Sequence, residues 1–307
     1  MSPFTGIALK LCSVVLFVIM AALIKATTED VPTGQAMFFR SFFALPVIVL
    51  WLILRRELST GLHTSNVMGH VWRGLIGVCG MGFGFSALGY LPLPDVTAIG
   101  FAAPLLTVIF AAVLLGERLR LYRISAVLLG LLGVIVILSP RLSIFSGEAM
   151  NSTAQIGVLL VLASAVFRAL AQIHIRRLAQ SEQTAAIVFY FSLTTTVLSL
   201  LTLPFGWTIP DTSATLMLIG AGLIGGVSQI FITSAYRFAD AAVIAPFDYA
   251  SILFAMVIGY VFFADVPTPQ MLIGSAIVIF AGLLIIWREH LLGLKRGKAR
   301  PNLTPQG

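Results

Sequence analysis

Apolar residues in this chain come in long unbroken runs rather than in short alternations. The runs fall near 4–26, 35–54, 70–90, 95–115, 122–140, 155–175, 184–203, 213–234, 241–263 and 269–288. A helix that crosses the hydrocarbon core of a bilayer needs about 20 mostly apolar residues. Strands of a membrane barrel would be about ten residues long and would alternate in polarity. The pattern therefore predicts an all-α membrane protein of ten transmembrane helices joined by short loops. The first run has no basic segment ahead of it and contains Lys10, so it reads as a retained helix rather than a cleaved signal.

Composition narrows this picture. Apolar residues are 59% of the chain and charged residues 10%, and the mean hydropathy is +1.02. A soluble domain is about 25% charged, so this chain cannot cover a water-facing surface. The net charge of +7 does not point to nucleic acid, because no basic patch is interleaved with aromatics. Basic loops are instead what the positive-inside rule predicts. With the N-terminus in the cytoplasm, that side holds Arg55, Arg56, Arg73, Arg118, Arg120, Arg123, Arg176, Arg177, Arg237, Arg288, Lys295, Arg296, Lys298 and Arg300. The opposite side holds only Lys25 and Arg141. The expectation is a multi-pass protein of the cell (inner) membrane with both termini cytoplasmic. The tail 289–307 is basic and favours the anionic lipid of the bilayer.

Little suggests catalysis. Cys12 and Cys79 lie inside apolar runs as small hydrophobes. There is no CxxC pair, and His63, His70, His174 and His290 have no ligand spacing, so no metal and no cofactor is expected. Zincin, nucleophile-elbow and P-loop motifs are missing from the sequence. Transport without an ATP site would be gradient-driven or facilitated.

Two stretches organise the chain. The first, 85–117, carries Phe85, Tyr90, the turn Pro92-Leu93-Pro94-Asp95, Pro104 and the closing Leu115-Gly116-Glu117. A degenerate copy, 231–265, carries Phe231, Tyr236, Asp240, Pro246 and Phe263-Ala264-Asp265. Upstream, Gly6-Ile7-Ala8-Leu9 matches Gly157-Val158-Leu159-Leu160, and Ser13 falls opposite Ser164. The units 4–140 and 155–288 each hold five runs. Five is odd, so the second unit starts on the other membrane face. Such inverted repeats suit alternating access to a site at the midplane. Gly80/Gly84 and Gly222/Gly226 are GxxxG spacings, which serve either static close packing or helices that rock past each other.

These features together resemble the drug/metabolite transporter superfamily, in its EamA-type ten-helix form. The resemblance rests on Phe39-Arg40-Ser41, on Leu115-Gly116-Glu117, on the two halves and on Ala245-Pro246-Phe247-Asp248-Tyr249. The second half has Ala264-Asp265 where the family usually closes with Gly-Glu. Residues 1–25, 38–46 and 91–104 further resemble the bacterial riboflavin importers. That resemblance implies uptake of riboflavin by a secondary transporter. The alternatives are an exporter of amino acids or related metabolites and, from another class, a non-transporting scaffold or a channel.

An ionisable group inside a membrane helix costs about 2.5–3.5 kcal/mol and needs a reason. Arg40 either anchors a substrate or snorkels outward. Arg168 lies deeper, one helical turn from Gln172, where snorkelling is harder. Asp248 and Tyr249 follow Pro246, whose missing N–H frees a carbonyl. Asp248 either accepts substrate hydroxyls or pairs with Arg168 or Arg40. Gln229 can read polar atoms without charge or only bridge helices. Phe85, Phe101 and Phe231 are candidate stacking platforms in a chain with 22 Phe, most of which face lipid or other helices. Lys10 and Lys25 are expected to snorkel from helix ends, Glu117 to act as a latch or local ion pair, and His174 to be solvated.

Overall fold

The computed structural model describes residues 3–115, 121–139, 152–178, 181–238 and 245–298, and holds no strand among them. The helices are α1 (Pro3–Lys25), α2 (Thr33–Phe42), α3 (Ala44–Leu54), α4 (Leu58–Gly61), α5 (Val67–Leu88), α6 (Leu93–Gly100) and α7 (Ala102–Leu115). Then come α8 (Leu121–Leu138), α9 (Ser152–Leu178), α10 (Thr184–Leu200), α11 (Thr212–Phe238), α12 (Ala250–Phe263) and α13 (Pro269–Lys298). Among the described residues, seven apolar helical stretches are long enough to cross a membrane, and three shorter ones are Ile124–Leu138, Ala185–Leu200 and Phe247–Phe263. Leu128, Leu132 and Ile135 of α8, Leu253 and Val257 of α12, and Phe280 of α13 are exposed. So much exposed apolar surface belongs against lipid. Glu117, Arg118, Arg120, Arg141, Asn151 and Asp240 lie outside the described residues, as does everything after Lys298.

Two runs expected as single helices are broken. The run 35–54 divides at Phe43 and the run 95–115 divides at Phe101. Each break sits three residues before a proline, Pro46 or Pro104. Proline lacks the N–H that would bond the carbonyl four residues back, here Phe42 or Gly100. Phe101 N–H falls back on Ala98 O, three residues away, at 3.2 Å. A third run opens as a 3-10 turn at Ala245–Tyr249, around Pro246.

Packing follows an exchange between halves. α1 lies against α11, and α9 against α5. α1 also meets α12, as α9 meets α7. The pairs α2–α10 and α8–α13 exchange with themselves. Ser13 and Ser164, matched in the sequence, perform matched tasks. Ser13 Oγ donates to Ser228 O at 3.0 Å, and Ser164 Oγ donates to Gly80 O at 2.7 Å. Glycines permit these approaches: Gly84 faces Ser164, Gly226 faces Val47, and Gly133 and Gly274 each fill the space of the other's missing Cβ with a backbone carbonyl. The GxxxG glycines are thus filled packing contacts.

Each face of the bundle is tied by polar contacts. On one, Lys25 Nζ donates to Leu88 O at 3.3 Å and Leu91 O at 3.0 Å, and lies 5.3 Å from the Phe263 ring centroid. Lys25 therefore joins helices rather than snorkelling. Asp265 Oδ2 accepts from Leu93 N–H at 3.2 Å, so this acid caps α6. Ala264 precedes it in the left-handed region at φ 54°, a conformation glycine would adopt without strain.

On the other face, Glu182 holds the loop before α5. Its Oε1 accepts from the N–H of Ser65 at 2.9 Å, the hydroxyl of Ser65 at 2.9 Å and the N–H of Asn66 at 3.0 Å. Oε2 is 3.4 Å from His70 Nε2. His174, expected to be solvated, is half-buried with Nε2 3.0 Å from Gly69 O. Burial opposes the Glu182 charge, but the bonds from Ser65, Thr64 and His70 outweigh it and hold the carboxyl down at about 2.

A carboxyl depressed in the folded state stabilises fully above its ordinary range and loses that contribution as pH falls through its folded value. The stability difference between wild type and Glu182→Gln should be full at about pH 6 and shrink below about pH 4. Thermal unfolding across that range reads it. By the same assay, Ala264→Gly should stabilise the fold by about 1 kcal/mol.

Candidate functional site

The charged centre lies where α1, α9 and the turn before α12 meet. Lys10 is fully buried on α1, and its Nζ is 2.7 Å from Asp248 Oδ1. Lys10 is not the snorkelling residue expected from its place near a helix end, and the partner of Asp248 is neither Arg168 nor Arg40. The Asp248 side chain is 43% exposed against 1% for Lys10, so one carboxylate neutralises the ammonium while keeping part of its own surface exposed. Its position follows from the 3-10 turn, where Ser251 Oγ donates to Asp248 O at 2.7 Å.

Arg168 of α9 lies nearby. It is exposed although it lies midway along α9, with its backbone packed on Gly80 of α5. Its Nη1 lies 3.3 Å from where a Gly100 Cβ would stand, beside the break between α6 and α7. Gln172, one turn on, is exposed as well.

The aromatic pair completes this region. Phe101, at the break, stacks on Tyr249 with ring centroids 4.8 Å apart and planes at 24°. Gly282 of α13 leaves the space that the Tyr249 hydroxyl occupies. The break in the run 95–115 and the 3-10 turn of its matched run thus meet through their aromatic residues.

Other expected residues lie elsewhere. Phe85 packs into a core with Val18, Ile24 and Leu218. Phe231 is half-buried on α11. Gln229 borders a shallow recess with Ile48, Trp51, Ala185, Val188 and Ile230. Arg40 is buried on α2, seven residues after its start, so it does not snorkel outward. It lies 5.9 Å from the Phe191 ring centroid, and Arg73 lies 4.1 Å from the same ring. Arg73 is not in a loop as loop charge suggested, but six residues inside α5. Lys10, Arg73 and Phe191 were not expected among the residues of these charged clusters. A charge inside an apolar run was the available signal for the two cations; nothing separated Phe191 from the other phenylalanines.

The signature of the EamA-like transporter family matches residues 4–139 and again 155–288. The chain belongs to that family. It is 29% identical over 281 residues to a pseudopaline exporter of Pseudomonas aeruginosa, covering 90% of this chain and 94% of that one. It is 27% identical over 284 residues to an S-adenosylmethionine uptake transporter of Rickettsia prowazekii, covering 92% and 93%. A riboflavin transporter of Vibrio cholerae is 27% identical over 242 residues, 78% of each chain. A crystal structure at 24% identity superposes with a TM-score of 0.66 over 94% of this chain and 98% of its own, a likeness in fold. This EamA-family chain is a multi-pass membrane transporter, and its relatives imply a small-molecule substrate.

Removing one partner of a buried pair leaves an uncompensated charge. Asp248→Asn should cost about 3 kcal/mol, the low end for such pairs because Asp248 is half exposed. Lys10→Met added to it should recover most of that loss. Denaturant unfolding of the two single variants and the double variant measures the coupling.

Proposed function

We propose that the protein is a secondary transporter that moves an amphipathic metabolite by alternating access. In this reading it has ten spans in two inverted five-helix repeats, 4–140 and 155–288, followed by the basic tail. Both termini and the Glu182 face lie in the cytoplasm, and the Lys25 face lies outside, in the inner membrane. The observation that carries the reading is the meeting of the broken run 95–115 with the 3-10 turn Ala245–Tyr249 of its matched run, beside a buried ion pair. Phe101 stacks on Tyr249, while Asp248 and Arg168 set partly exposed charge near that stack. Broken helices at the midplane present unpaired backbone and side-chain groups to a solute.

Riboflavin uptake is the named candidate. The stacked pair suits a flat ring, and the carboxylate and guanidinium suit a hydroxylated chain. The riboflavin transporter relative is consistent with it. Export of a charged metabolite is the second reading, favoured by the charge at the site and by the pseudopaline exporter relative. An exporter and an uptake transporter stand at similar identity, so direction follows from flux rather than from likeness.

Purified protein titrated with riboflavin, amino acids and nucleobases should show a thermal shift for its substrate class. A shift with an amino acid and none with riboflavin would remove the riboflavin candidate. In proteoliposomes the responding solute should show saturable uptake and counterflow. Flux with neither property would favour a channel, and the lack of any flux a scaffold. Arg168→Ala should abolish uptake while the protein still inserts; normal uptake would remove Arg168 from the site.

A further inference from the structure

Arg40 and Arg73 are two intramembrane cations that the Lys10–Asp248 pair does not explain. Arg40 is 6% exposed. Nε and Nη1 of both arginines are buried without a hydrogen-bond partner, and among the described residues neither forms an ion pair. A guanidinium that near helix ends can reach water normally does so. Arg73 does the opposite. Its Nη1 fills the space beside Gly77, one turn further into its own helix, against Phe191. Arg40 Nε lies at ordinary contact distance from Gly225 of α11, 3.6 Å from where a Cβ would stand. Gly77 thus makes space for one guanidinium, and the two guanidinium groups share one ring. A ring beneath a guanidinium attracts the cation and leaves its in-plane N–H groups unused.

Two guanidinium groups with unpaired buried N–H donors match a carboxylate or a phosphate, whose oxygens accept several charge-assisted hydrogen bonds. Leaving them empty is costly, because each is a desolvated charge. We propose that Arg40 and Arg73, set around Phe191, form an oxyanion site between α2, α5 and α10 that takes the carboxylate or phosphate of the transported metabolite. Binding of the oxyanion stands on this geometry, while its part in transport rests on the carrier reading above. Such a site adds an anionic group to the substrate class.

Full-length protein in neutral detergent is titrated with inorganic phosphate and with acetate, against chloride at matched ionic strength, and followed by thermal unfolding. Wild type should be stabilised by phosphate or acetate over chloride. Arg40→Gln and Arg73→Gln should each weaken that response at least about tenfold, the worth of one hydrogen bond to a charged group. Arg55→Gln, in an exposed pair with Glu57, should leave it unchanged. No response in wild type overturns the site, and so does a response that survives the Arg40→Gln/Arg73→Gln double variant. Should the glutamine variants fail to fold, Arg73→Lys decides. It keeps the charge without the planar fork, so weaker binding supports the site and unchanged binding overturns it. Counterflow after reconstitution of the same protein into liposomes separates the two readings. Phosphate binding without counterflow keeps the site and sinks the carrier; counterflow without phosphate binding does the reverse.

Discussion

A charge inside a bilayer has no water to solvate it, so the protein must supply its partner. Lys10 shows what this demands. Its ammonium is fully buried, and its carboxylate comes from Asp248 at 2.7 Å. That pair fixes α1 to the turn before α12, which binds one half of the chain to the other inside the bundle. It works only because the 3-10 turn Ala245–Tyr249 brings Asp248 to that depth. The same turn places Tyr249 on Phe101. The join between halves and the candidate site are therefore built from the same few residues.

Close helix packing has a different origin. Lipid is as apolar as leucine, so no hydrophobic force presses helix on helix within the membrane. Small residues and hydrogen bonds replace it. Ser13 and Ser164 reach backbone carbonyls on α11 and α5, and Gly133 meets Gly274 backbone to backbone. Because the matched serines act on matched helices, an arrangement in one half has a counterpart in the other. Alternating access requires that correspondence.

Helix positions were legible because the apolar runs are long and their loops short. The internal repeat was legible from Ser13, Ser164 and the matched aromatic stretches. Breaks at Phe43 and Phe101 were not foreseen, although Pro46 and Pro104 carried the signal; an apolar run masks a missing N–H. Arg168, Asp248, Phe101 and Tyr249 were singled out, and the structure brings them together. Phe85 was singled out too but packs in a core. Lys10 was misread because distance from a helix end says how far a side chain must reach, not which carboxylate lies nearer. Arg73 was misread because loop charge was counted without its depth in α5. Asp265 caps α6 through a tertiary contact, which spacing along the chain does not reveal.

Phe101 offers the most direct test of alternating access. A single cysteine there, in a Cys12→Ser/Cys79→Ser background, is exposed to an impermeant thiol reagent in membrane vesicles of either orientation. Labelling traps even a rare open state. The account predicts modification from both faces. It also predicts that bridging Lys25→Cys to Phe263→Cys with a short bifunctional reagent, before Phe101 is probed, blocks labelling from the Lys25 face and raises it from the Glu182 face. Labelling from one face alone, or labelling from the Glu182 face that does not respond to the bridge, would contradict a two-way gate.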